Sequence, residues 1–277
     1  MEQLITKLLE GSVDAHLHMG PDPYRERPAD ALEVALHAKE MGMRGVVLKS
    51  HDYPTAPLAE LTRKVVPGVE VIGSLTLNQG VGGINPQAVE VSAKLGARVL
   101  WMPTFSALCE RKNNGFSDGI FLLEENGKVL PEVKEILRLA KHFDLMLCTG
   151  HISQEEILGL FAEALRMGIG KFVVTHPLKA SLDLNIQRDL VKRGAYIEHC
   201  FVSTTSLVKK IAPSEILEAI RYVGVKGCLL STDFGQLRNP PPWEGMRMMI
   251  ATFLEGGLSE EEMSVLIKDN PCRLLNL

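Results

Sequence analysis

Short runs dense in Val, Ile and Leu recur along the chain, each followed by a stretch whose apolar residues return every three or four positions. Eight such runs stand out, at residues 13–18, 45–51, 69–77, 97–103, 145–151, 171–176, 195–200 and 227–233. Most are continuously apolar rather than alternating, the pattern of strands covered on both faces. The intervening stretches predict helices. Residues 28–41 open with Pro28, carry Ala31, Leu32, Val34, Ala35, Ala38 and Met41 on one stripe, and stop at Gly42. Residues 86–95 stop at Gly96, 130–142 precede the fifth run, and 155–167 stop at Gly168, while Ser259 to Glu262 form a capping box before the final helix. Strand and helix in alternation predict a parallel sheet of βα units. With eight strands, and no glycine-rich turn after the first, the expected fold is a closed (β/α)8 TIM barrel rather than a doubly wound sheet.

One interval is too long for a simple connection. Residues 105–129 lie between the fourth and fifth runs and contain Asn113-Asn-Gly115 and Glu125-Asn-Gly127, so 119–123 reads as a hairpin arm inserted after strand four. An insertion there lies on the catalytic face of a barrel and suits a lid. No linker or repeat interrupts the rest, and residues 1–277 are expected to form one domain.

Composition narrows the class. The 277 residues are 45% hydrophobic, enough for one barrel core, and the net charge of −4 provides no basic field for nucleic acid or an anionic membrane. No apolar run approaches the roughly 18 residues of a spanning helix. The start, Met1 to Lys7, lacks the charge order of a secretory signal, so the expected location is the cytoplasm. The expected partner is a small-molecule substrate, with neither nucleic acid nor membrane, and a homo-oligomer is compatible with this composition. The five cysteines are scattered with no Cys-x-x-Cys pair, which argues against a disulfide framework or a zinc knuckle. Cys148, Cys200 and Cys228 sit in apolar runs as small core residues, whereas Cys109 lies in a loop-like segment.

The chemistry gathers at the ends of the runs. The first contains Asp14-Ala-His16-Leu-His18, and side chains two apart on a strand share a face, so both imidazoles can hold one ion. The second carries Lys49 and His51, again two apart. The fifth ends in Thr149-Gly-His151, the sixth in Thr175-His176 and the eighth in Ser231-Thr-Asp233. A lone strand-end histidine is more often a hydrogen-bonded rim residue than a ligand. Several ligand-type residues on separate runs that only a barrel unites point to a metal site, because catalytic residues of this fold occupy the C-terminal strand ends.

This order of His-x-His on strand one, His on five, His on six and Asp on eight resembles the amidohydrolase superfamily of metal-dependent hydrolases. The ending Asn270-Pro-Cys-Arg-Leu-Leu275 resembles the Asn-Pro-Ala-x-x-Leu common there. The resemblance implies that His16, His18 and Asp233 bind one divalent ion, and that His151 and His176 bind a second or orient substrate. Asp233 would also be the catalytic base that takes a proton from water. Imidazole and carboxylate ligands suit zinc first, with manganese, iron or nickel as alternatives. The implied reaction is hydrolysis of a C–N or ester-type bond in a small polar substrate. Phosphoester hydrolysis and decarboxylation at a single metal are the alternatives, and a non-enzymatic metal-binding scaffold is the remaining one.

The chain departs from that pattern at strand four, whose run 97–104 lacks the carboxylated lysine or glutamate that bridges two metals in binuclear members. Lys49, which shares parity with His51, is the substitute, either as a carboxylated bridge or as an ammonium binding an anionic substrate; Glu198 and Glu110 are weaker candidates. His51 and Arg25 are candidates for substrate binding. Asp14 is expected to be structural beneath the chelate, and His37 and His142 to be exposed on helices. Only one of Glu198 and His199 can point inward. Arg238 and the Pro240-Pro-Pro-Trp243 turn directly follow Asp233 and are candidates for the pocket wall.

Overall fold

The eight apolar runs form eight parallel strands in sequential order, β1 Val13–His18, β2 Gly45–Lys49, β3 Glu70–Thr76, β4 Ala97–Trp101, β5 Met146–Cys148, β6 Phe172–Thr175, β7 Tyr196–Cys200 and β8 Cys228–Ser231. The structure is a computed structural model that describes residues 1–205 and 211–277. Each ladder is parallel, and helices return the chain between strands, giving the expected (β/α)8 barrel. Among the described residues, no helix is long and apolar enough to cross a membrane.

Two apolar layers hold this arrangement. Alternate strand residues (Val13, Ala15, Val47, Ile72, Val99, Trp101, Met146, Val173 and Leu229) fill the barrel interior, while their neighbours pack outward against the helices. Leu274 and Leu275 of the last helix, Asn270–Leu275, join the interior cluster. The Asn270 side chain donates to the carbonyls of Val225 and Cys228, at 3.1 and 2.6 Å, where the chain enters β8. The Asn-Pro-Cys-Arg-Leu-Leu ending thus plugs the barrel floor, opposite the mouth.

Some boundaries differ from the sequence pattern for identifiable reasons. The helix expected over 28–41 spans Ala31–Glu40, because Asp30 accepts from Leu32 N and Glu33 N and completes a capping box with Glu33. That carboxylate sets the start, and Pro28 lies outside. The runs 45–51, 145–151 and 227–233 outlast their strands, since the chain leaves the ladder at the mouth. After β5 the turn needs Gly150, at φ +62, where a Cβ would lie 2.4 Å from the Met102 carbonyl oxygen. His151 therefore follows the strand rather than ending it.

The insertion is present but only partly as expected. Its first part is a short helix, Leu108–Asn113, where no helix was anticipated. The hairpin-like part is confined to the turn through Asn126 and Gly127, where Glu124 N donates to Lys128 O and Leu130 N to Leu122 O. One buried carboxylate ties this insertion to the barrel wall. Glu156, in helix Gln154–Arg166, accepts from Leu122 N at 2.9 Å and from Ser153 N and Oγ at 2.9 and 2.8 Å. Burial raises its pKa against those bonds.

Glu156→Ala strands one buried donor and two part-buried ones and is expected to cost on the order of 2 kcal/mol in denaturant unfolding. Glu156→Gln keeps one acceptor oxygen and should lose less than half as much; equal losses would mean that the carboxylate oxygens do not anchor the insertion.

Candidate metal centre

The barrel closes at the strand ends that carry the candidate ligands. Beyond β8 the chain bonds to β1 through Asp233 N to His16 O and His18 N to Phe234 O, both 2.7 Å. Asp14, fully buried beneath, accepts from Thr232 N at 3.0 Å, from Thr232 Oγ1 and from His16 N at 3.3 Å. Asp14 is thus the structural residue expected there. Burial lifts its pKa to about 7, with the Thr232 and His16 bonds pulling it back. Thr232 in turn accepts from Phe234 N. This network holds Asp233 in a left-handed backbone conformation, φ +51, which is costly for a residue with a Cβ. Gly235 follows at φ +125, where a Cβ would meet the His18 carbonyl at 2.0 Å, so only glycine admits this close approach of β8 to β1.

Three imidazoles converge on the Asp233 carboxylate. His16 Nε2 and His18 Nε2 lie 3.2 and 3.0 Å from Oδ1, and His176 Nε2 lies 3.2 Å from Oδ2. Behind each His of β1 stands an acceptor. His16 Nδ1 faces Glu198 Oε1 at 3.3 Å, and His18 Nδ1 faces the Lys49 carbonyl at 3.0 Å. A carbonyl or carboxylate oxygen can only accept, so each ring carries a proton on Nδ1 and, in its neutral form, turns an Nε2 lone pair towards Asp233. Lone pairs of two imidazoles and an ionised carboxylate then face one another, an arrangement that a cation between them stabilises. The donor set therefore fits a divalent metal.

Without a cation, a proton takes its place between His16 and Asp233. Burial opposes charge on Asp233, but His16, His176 and His18 hold its carboxyl well below the usual range. Burial also pulls His16 down, yet Asp233, opposed by Lys49 and aided by Glu198, leaves it raised to about 8. His18 has no such surplus, and burial takes it to about 3.

The other candidates take distinct places. Lys49 is buried, with Nζ 2.8 Å from His16 Nε2 and 4.8 Å from the centre of the Trp101 ring. Burial lowers its pKa, against the pull of Asp233 and Glu198. Trp101 fills the interior end of β4, where a bridging residue is lacking, and its buried Nε1 has no partner among the described residues. His151 does not join the Asp233 cluster; it stands beside His176, ring centres 5.5 Å apart, with Nδ1 3.5 Å from Glu110 Oε2. Burial holds His151 at about 3. Glu110 also meets Lys179 at 3.1 Å; burial works against its ionisation, but His151 and Lys179 bring it down to about 2. His176, like Asp233, has a positive φ, +52, and its buried Nδ1 is without a partner among the described residues.

A cavity of about 320 Å³ opens above these groups, and His18, Lys49, His51, His151, His176 and Asp233 all reach it. Arg25 and Phe105 line its rim, the guanidinium 4.6 Å from the ring centre and 3.5 Å from Asp52. Arg238 and Trp243 are not on its wall. Arg238 is exposed, Trp243 stacks on His37 at 4.0 Å, and Gln236 lines the cavity instead.

Several contributors had no signal in the sequence. Arg27 lines the cavity, held by two N–H bonds to one oxygen of Asp22 and a bond to Gly235 O. Cys200, expected as core, lies within 4.8 Å of His16, His176 and Asp233. Its sulfur, however, is 3.6 Å from His16 Nδ1, behind the ring, and burial pushes its pKa well up. It is a neighbour of the Nδ1–H rather than part of the Nε2 face. Of the β7 pair, Glu198 points inward, accepting from Ser231 Oγ at 2.7 Å as well as facing His16. Parity alone left Glu198 and His199 undecided.

Comparison with known proteins places the fold. Residues 11–198 match the model of a family of unknown function, DUF6282. No protein with a curated description matches the sequence. Among solved structures, an amidohydrolase from Pseudomonas aeruginosa is similar at 12% identity with a TM-score of 0.65, covering 99% of this chain and 98% of that one. An organophosphorus hydrolase from Deinococcus radiodurans is similar at 13% identity and a TM-score of 0.64, covering 98% and 93%. A 2,6-dihydroxybenzoate decarboxylase is similar at 13% identity and a TM-score of 0.60, covering 97% and 100%. The resemblance to the amidohydrolase superfamily drawn from the motifs thus extends to the fold of the whole chain.

Removing Asp14 tests whether the seam supports the centre. Asp14→Ala should cost about 3 kcal/mol of stability and weaken binding of a divalent metal by roughly 10–100-fold without touching a candidate ligand. Wild-type metal affinity in a variant that unfolds more easily would show that the seam does not position Asp233.

Proposed function

The chain belongs to that family, DUF6282, and we propose that it is a metal-dependent hydrolase of a C–N or ester-type bond in a small polar substrate. The observation that carries this is the convergence of the Nε2 atoms of His16, His18 and His176 on the two oxygens of Asp233, at 3.0 to 3.2 Å. His16, His18 and Asp233 would hold one divalent cation, zinc first, with His176 and His151 beside a second. Such a cation lowers the pKa of water towards neutrality and polarises a carbonyl.

The protein's own groups account for the rest. The carboxylate of Asp233 is kept ionised and reaches the cavity, so it can accept a proton from attacking water at one oxygen while the other stays with the β1 histidines. Glu198 and the Lys49 carbonyl fix the rings of His16 and His18. Arg25, Arg27 and Lys179 around the cavity suit a substrate with an anionic group.

Zinc reconstitution followed by metal analysis separates holding from catalysis. His16→Ala combined with His18→Ala should lose the bound metal while the barrel stays folded. Asp233→Asn should keep more metal than that pair yet lose roughly 10²–10⁴-fold in turnover, measured on a panel of amides, lactones and esters. Full metal in the double histidine variant is incompatible with this centre.

Lys49 is proposed as the bridging group. Its buried amine, lowered in pKa, adds to carbon dioxide through the Nζ lone pair and releases a proton, leaving a carbamate whose two oxygens can serve two cations. Its position against His16, together with a β4 whose inner end is Trp101, supports this role. Zinc binding should then rise with added bicarbonate, and Lys49→Ala should lose the second equivalent. Unchanged stoichiometry with mainly a raised KM would make Lys49 a substrate-binding ammonium instead.

A further inference from the structure

His51 sits on the same cavity as the candidate ligands, but what stands behind its ring differs. Its Nδ1 meets a hydroxyl, Thr104 Oγ1, at 2.9 Å, rather than a carbonyl or carboxylate. A hydroxyl can donate or accept, so the direction of this bond depends on what else Thr104 does. The next residue settles that. Asn78 Oδ1 accepts from two backbone N–H groups, Thr104 N at 2.9 Å and Ser106 N at 3.1 Å, which fixes which end of the amide is oxygen. Its Nδ2 therefore donates, to His51 O at 3.0 Å and to Thr104 Oγ1 at 2.7 Å.

Thr104 Oγ1 thus already accepts one hydrogen bond. The residue is fully buried, so its own proton needs a partner inside the protein, and among the described residues His51 Nδ1 is the one within reach. The proton runs from Thr104 to His51, and Nδ1 is an acceptor. A neutral imidazole accepting at Nδ1 carries its hydrogen on Nε2, the nitrogen at the far side of the ring. An imidazolium has no acceptor nitrogen, so a ring that accepts at Nδ1 is neutral. The ring is clamped between His18 and Phe105, with centres 4.5 and 4.2 Å apart, so it cannot turn freely.

We propose that His51 is a fixed hydrogen-bond donor to a substrate oxygen, set in that tautomer by Asn78 and Thr104, and is not a metal ligand. An N–H directed into the cavity beside the Asp233 cluster suits a carbonyl oxygen that gains negative charge during hydrolysis, or a bound carboxylate or phosphate oxygen. Metal coordination would need the Nε2 lone pair, and the relay removes it. Asn78 and Thr104 are positioning residues, acting only through His51. The catalytic role rests on the hydrolase reading above; the tautomer and the exclusion from the metal shell do not.

Long-range ¹H–¹⁵N spectra of histidine-labelled protein test this directly, with the His51 signals assigned by their loss in His51→Gln. In the wild type, His51 should show a pyrrole-type Nε2 and a pyridine-type Nδ1, both before and after zinc is added. A protonated Nδ1 in either state, or zinc on Nε2, overturns the proposal. Thr104→Val removes the hydroxyl with little change of shape and should abolish the preference between the two nitrogens; an unchanged spectrum would refute the relay. Zinc titration of His51→Gln should give wild-type stoichiometry with an affinity loss below about tenfold, whereas loss of an equivalent would make His51 a ligand. A wild-type protein that binds no zinc but keeps the Nε2–H defeats the hydrolase reading and leaves the relay standing, so the two failures are distinguishable.

Discussion

The seam between β1 and β8 is the constraint on which the rest depends. A barrel must join its last strand to its first, and here that junction runs through the candidate ligands. Asp233 N bonds to His16 O and His18 N to Phe234 O, so the backbone bonds that close the cylinder also set the separation of the β1 imidazoles from the β8 carboxylate. Asp14 locks the junction from below by taking both the Thr232 amide and its hydroxyl. A buried carboxylate with its pKa lifted to about 7 is an expensive way to pin two strands. An apolar residue there would pack, but it would leave those donors unpaired and the left-handed turn at Asp233 unsupported.

What the seam holds together is a surplus of lone pairs. Glu198 and the Lys49 carbonyl force protons onto the outer nitrogens of His16 and His18, so each ring in its neutral form sets a bare nitrogen against the oxygen of an ionised aspartate. Low local polarity makes such an arrangement costly by itself and strongly attractive to a cation. The same electrostatics bear on Lys49. An ammonium 2.8 Å from His16 would compete with a metal for that nitrogen, whereas a neutral amine or its carbamate would not. The indole of Trp101 lies against both groups and closes the interior beneath them.

The architecture was legible because strand periodicity is local. Residues two apart on one strand share a face whatever the tertiary structure, so the pairing of His16 with His18 followed from spacing. The eight apolar runs gave strand order and fold for the same reason. Failures occurred where the chain leaves the ladder. The helix Leu108–Asn113, the capping by Asp30 and the exit of Arg238 from the cavity wall depend on turn geometry and on side chains bonding to backbone, which periodicity does not encode. Cys200 read as core and is buried, but its place behind His16 needed the register between β7 and β1 across the seam. Arg27 reaches the cavity only because Asp22 and Gly235 hold it there.

Histidines at the end of a barrel strand are alike in sequence, and their chemistry is decided by the atom behind the ring. An obligate acceptor behind Nδ1, as at His16 and His18, makes Nε2 of the neutral ring a base, the form that a ligand needs. A committed donor behind it, as at His51, makes Nε2 an acid. The deciding atoms come from Glu198 on β7, from the backbone of β2, and from Thr104 and Asn78 beyond the ends of β4 and β3. None of these is adjacent in the chain to the histidine it governs. A pocket that must bind a cation and also stabilise an anion a few ångströms away needs both kinds of imidazole. With His18 and His51 stacked ring on ring at 4.5 Å, the barrel supplies them side by side from residues of one type, differing only in where each keeps its proton.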